Sequence, residues 1–313
     1  MCSCLNGKMK TKILFIFLQF FLCFELLAQL NMVEVQPGLF VHQGKHLDIE
    51  EGYDGDICNI GFIIGKQSIA VIDTGGNLKI GQDLLSEIRR RSDLPIHYVI
   101  NTHVHLDHIY GNAAFLEEGA TYLGHENLPK AMQLRKAFYE KLNLDFMGIK
   151  SNESIQIPPS QTIKTNEEIT IDLGDRPLKI KAFPEAHTNT DITILDINSK
   201  TLWTGDLLFV ERTPVIDGDI HGFIDVLSAL EKENYNMVVP GHGTPSKNPE
   251  QAFAKIKAYL KKLRDEIRLA IDSGMGLDEA TQTLVQNEST NWVLFDIQNA
   301  RNINRVFPMM EWE

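Results

Sequence analysis

The sequence Thr102-His103-Val104-His105-Leu106-Asp107-His108 comes directly after the apolar run Tyr98-Val99-Ile100. Such a run is typical of a buried strand, so the three imidazoles and the carboxylate lie where a strand gives way to a loop. Alternate side chains of an extended segment share a side, which places His103 and His105 together and leaves Asp107 and His108 on the turn that follows. Two ligand sets in one loop suit two neighbouring metal ions, and mixed histidine and aspartate donors are typical of zinc.

Three further segments repeat this arrangement, because each is an apolar strand followed by a residue that can bind a metal. The residues are His187, Asp206 and His242. Taken singly, each of them is more typical of a structural residue than of a ligand. In a layered α/β fold, however, strand ends at one edge of the sheet converge on the functional site. Together with the four residues of the first loop they predict a set of seven ligands.

The order of elements before the histidine cluster predicts a layered α/β architecture. A strand at residues 68–73, a helix at 78–91 and a strand at 96–100 precede the loop. An amphipathic helix is predicted for residues 223–232, a long helix for about 250–271, and a helical tail for 277–313. Since no repeat or Pro-rich linker interrupts the chain, residues 29–313 are predicted to form one domain, of which 249–313 are the C-terminal helical part.

The N-terminal residues have the pattern of a secretory signal peptide. Lys8, Lys10 and Lys12 precede an apolar stretch at residues 13–27, and Ala28 is a small residue suited to cleavage. The sequence therefore predicts removal of residues 1–28 and a periplasmic or secreted protein without stable membrane insertion. A lipid anchor at Cys23 is a weaker alternative, and translation could begin at Met1 or at residue 9.

The composition excludes one class of partner. With 313 residues and a formal net charge of −12, the chain lacks the basic surface that nucleic-acid binding requires. Cys58 is the only cysteine after residue 28, so the mature chain has no intramolecular disulfide. A small-molecule substrate is expected, and the oligomeric state is left open.

These motifs resemble those of a known family. The series His103-x-His105-x-Asp107-His108, followed by His187, Asp206 and His242, resembles the metallo-β-lactamase superfamily of hydrolases. Several other segments resemble the SoxH-like branch, the quinoprotein relay system zinc metallohydrolases. They are the segments at residues 55–62, 72–76, 186–191, 205–212 and 310–313.

The resemblance implies a four-layer αββα sandwich with a C-terminal helical extension, and it implies the role of each ligand. One ion would be bound by His103, His105 and His187, and the other by Asp107, His108 and His242, with Asp206 bridging them. The expected cofactor is two Zn²⁺, with iron or manganese as alternatives. A bridging hydroxide would then attack the substrate carbonyl, while Asp107 orients it and carries a proton to the leaving group.

The function implied is that of an exported hydrolase of a small ester, thioester, lactone or amide. The β-lactamases that resemble it most have Cys or Ser at the position of Asp206, so cleavage of β-lactams is a lesser alternative. Two others are a mononuclear-iron persulfide oxygenase and a non-catalytic, metal-loaded accessory protein for periplasmic quinoprotein or sulfur-oxidation systems. A complete ligand set favours two occupied sites and therefore the hydrolase.

Further side chains are predicted to surround the ligands. Arg212 could bind a substrate carboxylate or form a surface ion pair, and His221 could contact substrate or lie in solvent. Asp73 is expected to hydrogen-bond the metal loop or a ligand imidazole, and Asp191 to order the loop of His187. The loops at residues 43–56 and 146–161 are expected to line the pocket, with Tyr53, Phe146 and Met147 as an apolar wall.

Overall fold

Two β-sheets form the centre of the molecule. The computed structural model describes residues 30–50 and 52–313, and the predicted signal peptide lies outside them. The first sheet has seven strands in sequence order, antiparallel from the first to the fourth and parallel from there on. They are β1 (Met32–Gln36), β2 (Leu39–His42), β3 (Ile60–Ile64), β4 (Ile69–Ile72), β5 (Ile96–Ile100), β6 (Thr121–His125) and β7 (Gln161–Ile163).

The second sheet has five strands, each of which pairs with its neighbours in the sequence. They are β8 (Glu168–Asp172), β9 (Pro177–Ala182), β10 (Ile192–Asp196), β11 (Thr201–Phe209) and β12 (Met237–His242). All neighbours are antiparallel except β11 and β12, which run parallel because the helix between them returns the chain to the same edge. Asp206 lies inside β11 and not at the predicted strand end, whereas His242 is the last residue of β12. The parallel pairing of these strands brings the two predicted ligands together.

Helices cover the outer faces of both sheets. They are α1 (Leu78–Arg89), α2 (Leu106–Ile109), α3 (Leu128–Met147), α4 (Ile220–Leu230), α5 (Pro249–Asp272), α6 (Leu277–Thr283) and α7 (Phe295–Glu311). Two 3₁₀ helices lie at Asn112–Glu118 and Gln286–Asn291. Within the described ranges, no helix is both long enough and apolar enough to cross a membrane.

The layers follow from the alternation of side chains along each strand. In β4, Ala70 and Ile72 face the second sheet, where they join a cluster that includes Trp203. The intervening Ile69 and Val71 face the opposite way and pack with Leu84 of α1. A third cluster joins the outer face of the second sheet to α4, α5 and α7. The predicted four-layer αββα sandwich with a C-terminal helical extension is therefore confirmed.

Some element boundaries differ from the prediction for identifiable reasons. The helix predicted at residues 223–232 begins three residues earlier, because Asp219 caps it by accepting hydrogen bonds from the backbone N–H groups of His221 and Gly222. The short edge strand β7 was not predicted, since three residues contain too few alternations to be recognised. The helical tail is confirmed, with a break near Trp292 between its 3₁₀ helix and α7.

Candidate metal centre

The histidine loop leaves the sheet at the end of β5 and becomes the short helix α2. Asp73 follows β4, the neighbouring strand, and its carboxylate ties the loop to the sheet. It accepts hydrogen bonds from the backbone N–H of Thr102 at 2.8 Å, from the Thr102 hydroxyl at 2.7 Å and from Nδ1 of His108 at 2.8 Å. The predicted contact between Asp73 and a ligand imidazole is confirmed. Because the parallel strands β4 and β5 end side by side, Asp73 lies next to the histidine loop that it holds.

A first group of ligand atoms comes from three separate parts of the chain. The nearest nitrogen or oxygen atoms of His103, His105, His187 and Asp206 all lie within 4.8 Å of one another. Nε2 of His187 is 3.1 Å from Nδ1 of His105 and 3.4 Å from Oδ2 of Asp206. Four donor atoms in so small a space match the tetrahedral coordination that zinc prefers.

A second group shares one residue with the first. The ligand atoms of His108, Asp206 and His242 also lie within 4.8 Å of one another. Oδ2 of Asp107 completes this side, at 3.6 Å from Nε2 of His108 and 3.5 Å from Nε2 of His242. Asp206 lies between the two groups, with Oδ1 at 3.3 Å from His108 and Oδ2 at 3.3 Å from His242. The structure thus brings all seven predicted ligands together.

In each of the five imidazoles, the ring nitrogen that points away from the centre, here called the outer nitrogen, has a hydrogen-bond partner that fixes the orientation of the ring. These partners are the Thr102 hydroxyl for His103, the Asp217 carboxylate for His105, the Asp73 carboxylate for His108, and the backbone carbonyls of Val215 and Ile57 for His187 and His242. Since each outer nitrogen donates a hydrogen, the inner nitrogen of a neutral ring presents a lone pair to the centre. This arrangement orients imidazoles as metal ligands.

Three ligand atoms that face the centre have no such hydrogen-bond partner. Whether a metal ion would satisfy them shows whether these residues fit a metal. Nε2 of His103, Nε2 of His108 and Oδ1 of Asp206 are buried, and none forms a well-aligned hydrogen bond with a described residue. A buried polar atom without a partner is costly, and a divalent cation would satisfy all three. The nitrogen and oxygen donors suit zinc, iron or manganese. The seven residues therefore fit a pair of divalent ions.

Burial and charge prepare these groups for metal binding. Burial lowers the pKa of His187 to about 4 and that of His103 well below its usual range, so both rings are neutral near pH 7. Burial would raise the pKa of Asp206, but the rings of His242, His108 and His103 outweigh it and hold that pKa well below its usual range. His103 and His187 thus present lone pairs beside negative charge. At His108, burial lowers the pKa but the nearby carboxylates, Asp206 first, outweigh it and raise the pKa well above its usual range, so a bound metal ion would displace a proton there.

A cavity of about 650 Å³ opens onto this centre. Asp107, Asp206 and His242 lie at its base, and its walls come from the loop at residues 48–50, from α3 and from α7. The loop at residues 43–56 therefore lines the pocket as expected. In contrast, Tyr53 and Met147 line a different cavity, of about 530 Å³, and only Phe146 of the predicted apolar wall faces the centre.

Sequence reasoning missed the contribution of α7 and the partner of His105. Gln298, Arg301 and Arg305 project from α7 into the cavity, and no local pattern in the helical tail indicates this. Asp217 lies outside the recognised motifs, yet its Oδ2 is 3.1 Å from Nε2 of His105.

The two predicted substrate-binding residues have different positions. Arg212 lines the cavity, is buried, and has no ion pair with Glu211 or Asp217, which bind other partners. His221 is not among the residues that line it, because the early start of α4 places its ring 3.1 Å from Glu313 instead. Asp191 accepts hydrogen bonds from the backbone and hydroxyl of Thr188, so its predicted role in ordering the His187 loop is confirmed.

Comparison with known proteins gives consistent results. A family model described as the metallo-beta-lactamase superfamily matches residues 53–242. A linear primary-alkylsulfatase from Pseudomonas sp. is 38% identical over 56 residues, which are 18% of this chain and 11% of that enzyme's length.

Solved structures share the fold at low sequence identity. A metallo-beta-lactamase from Pontibacter korlensis matches 74% of this chain and 99% of its own, with a TM-score of 0.57 and 18% identity. A stereoselective inverting sec-alkylsulfatase from Pseudomonas sp. matches 90% of this chain with a TM-score of 0.68 and 17% identity. This chain covers 50% of the length of that sulfatase.

Proposed function

The chain belongs to the metallo-beta-lactamase superfamily of metal-dependent hydrolases, and we propose that it cleaves a small acyl compound at a centre of two divalent ions. The substrate would be an ester, thioester, lactone or amide. The observation that carries this proposal is the position of Asp206, whose two carboxylate oxygens contact imidazoles of both ligand groups. A carboxylate shared by two groups suits a pair of ions about 3.5–4 Å apart.

Each ligand group would hold one ion. His103, His105 and His187 form one group and Asp107, His108 and His242 the other, with Asp206 common to both; zinc is the first candidate and iron or manganese the alternatives. Cys58 is close to the second group, since its thiol donates to the carbonyl of Asp107 at 2.8 Å. Burial raises the pKa of that thiol well above its usual range, so it stays protonated and we assign it no ion.

Two bound cations would lower the pKa of water and stabilise negative charge that develops on a substrate oxygen. The chain's own groups would do the rest. Asp107 faces the cavity and has a carboxylate 3.5 Å from His242, so it can orient the attacking water and carry a proton to the leaving group. The walls from α3 and α7 would exclude bulk water from the reacting atoms.

Hydrolysis of a sulfate ester is a second candidate. It is favoured by the similarity to alkylsulfatases in both sequence and fold, in the latter case over 90% of this chain. The lactamase structures cover less of the chain, 74% in the Pontibacter korlensis example. Cleavage in ¹⁸O-labelled water separates the two candidates, since label enters a carboxylic acid product after acyl cleavage and sulfate or an alcohol after sulfate-ester cleavage.

Metal analysis of the purified chain and of Asp206→Ala is the first test. We expect about two zinc ions per chain in the wild type, fewer in Asp206→Ala, and an unchanged content in Asp225→Ala, which alters an exposed carboxylate on α4. The same samples are then assayed on thioesters, lactones, β-lactams and hexyl sulfate. One iron per chain that tolerates loss of His108 and His242 would refute the dinuclear hydrolase and favour oxygenase chemistry. Full metal content without turnover on any substrate would favour the accessory protein.

Two finer assignments rest on the sequence alone. We propose export with cleavage after Ala28, which N-terminal analysis of the protein recovered from the periplasm or medium would test. We also propose placement in the SoxH-like branch, on the motifs quoted above. If either of these two proposals is wrong, the proposed reaction is unaffected.

A further inference from the structure

One buried cation beside the metal centre has no described carboxylate within ion-pair distance, although those of Asp107, Asp206 and Asp48 act on it from further away. Arg212 lines the cavity and is only 4% exposed, yet it forms no ion pair with any described carboxylate. Its Nε is buried without a hydrogen-bond partner. Its Nη1 lies 3.4 Å from Nδ1 of His242, but that nitrogen donates to the carbonyl of Ile57 and so has no lone pair to offer. An unpaired buried guanidinium is costly and indicates an anion that the protein itself does not supply.

Two of the other arginines of the cavity are already paired with carboxylates. Arg301 binds Asp48 through two hydrogen bonds, at 2.7 Å and 3.0 Å. Arg135 pairs with Asp217. Arg305 donates to the backbone carbonyl of Asp217 at 2.7 Å and forms no ion pair with a described residue, but it is exposed and therefore hydrated. Among the described residues that line the cavity, Arg212 is therefore the buried arginine without an ion pair.

The backbone holds Arg212 in place at some cost. Glu211, the residue before it, has a left-handed conformation with φ of +68°, which is unfavourable for a residue other than glycine. Its carboxylate is turned towards the Thr244 hydroxyl, at 3.1 Å, and away from Arg212. Backbone bonds with Val293, at 2.8 Å and 3.0 Å, anchor the turn to the C-terminal part of the chain. Strain of this kind persists where the surrounding structure fixes a functional side chain.

An apolar wall completes the cavity. Phe138 and Phe146 of α3 line it although they are 60% and 40% exposed, and the partly buried Leu142 lies between them along the helix. Exposed aromatic surface inside a cavity marks the place where the apolar part of a ligand packs. The cavity thus offers a buried cation without an ion pair near the ligands and an apolar surface further out.

We propose that the substrate is an amphiphile with one anionic group, bound by Arg212 beside the metal ligands, and an apolar part packed on Phe138, Leu142 and Phe146. This rests on the proposed function, because it names the substrate class of the same site. A carboxylate, a sulfate and a phosphonate share the required chemistry, since each offers two oxygens to the planar guanidinium fork.

Calorimetric titration of the zinc-loaded full chain tests this without relying on turnover. The probes are hexanoate, hexyl sulfate and hexylphosphonate, with hexanol as the neutral counterpart and acetate as the short one. We expect Arg212→Gln to weaken binding of the preferred hexyl anion by about 30-fold or more and to leave hexanol unchanged. Arg212→Lys should restore part of that loss. Phe138→Ala should weaken binding of the hexyl anions and not of acetate. Arg90→Gln removes an exposed arginine that follows α1 and does not line the cavity, so it should leave every affinity unchanged.

The outcomes separate this inference from the proposed function. Wild-type affinity of the hexyl anions in Arg212→Gln would overturn it, because the anions would then sit on the metal ions alone. Equal losses for hexanol and the anions would also overturn it and indicate a structural role. Hydrolysis of neutral esters with no anion preference would leave the hydrolase standing without the inference. Arg212-dependent anion binding without hydrolysis of any ester would support the inference and refute the hydrolase.

Discussion

The contact between Asp73 and His108 predicts that metal affinity depends on a residue that touches no metal. Asp73→Asn keeps the size of the side chain and the oxygen that accepts from the Thr102 N–H, but it replaces Oδ2 by an amide NH₂ group. Oδ2 accepts from Nδ1 of His108 at 2.8 Å and from the Thr102 hydroxyl at 2.7 Å. The variant therefore places a donor opposite the donor of His108, and Asn tolerates the left-handed φ of +51° found at this position.

The magnitude follows from those two bonds. Hydrogen bonds to a charged group contribute about 1.5–3 kcal/mol each, so their loss is on the order of 3–6 kcal/mol before relaxation. Burial raises the pKa of Asp73, so a neutral amide recovers part of this by avoiding desolvation. We expect a net loss of about 3 kcal/mol in the free energy of unfolding. Removal of such a supporting carboxylate typically weakens metal binding about 10–100-fold.

The assay is zinc competition with a chromophoric chelator, alongside urea unfolding of the metal-free chain. Asp196→Asn is the matched control, because Asp196 is equally buried and bonds Arg176 at 2.7 Å and the Ser199 hydroxyl at 2.6 Å. It lies at the end of β10 away from the metal centre. It should therefore lower the free energy of unfolding and leave zinc affinity unchanged. Unaltered zinc affinity in Asp73→Asn, or an equal loss in both variants, would refute the reasoning.

Three further predictions concern the centre and the sheet beside it. In Gly241→Ala, the new Cβ would lie 1.9 Å from Oδ1 of Asp206, so elemental analysis should show lost zinc, whereas Gly276→Ala meets no atom within 4 Å and should retain it. Removal of metal by a chelator should lower the melting temperature by about 10 °C, and added zinc should restore it, because saturating metal adds about 4 kcal/mol to the free energy of unfolding of a chain of this size. An unchanged melting temperature would contradict this. Burial lowers the pKa of His125, so protonation favours the unfolded chain and stability falls as pH drops below about 6.5; urea unfolding of His125→Gln should show a shallower decline between about pH 7 and 5.

Local pattern was sufficient for much of the fold. The strand at Ile96–Ile100 and the helix that begins at Leu78 were predicted from apolar spacing, because buried faces impose a period of 2.0 or about 3.6 on the sequence. The early start of α4 was missed because a capping side chain, Asp219, extends the helix beyond its apolar stripe. Strand β7 was missed because its three residues gain their order from pairing with β6.

The sequence by itself determined the chemistry of the centre. The types of its seven candidate ligands, and their positions in or shortly after apolar strands, are readable because apolar runs and donor atoms are local properties. Only the tertiary structure decided how those residues meet. It placed Asp206 between two groups, gave His105 a partner 112 positions away in Asp217, and brought α7 into the cavity wall. It also left Arg212 buried without a direct ion pair. Such contacts join distant residues, and whether a buried charge is paired depends on which side chains the fold brings within reach, which the local sequence does not specify.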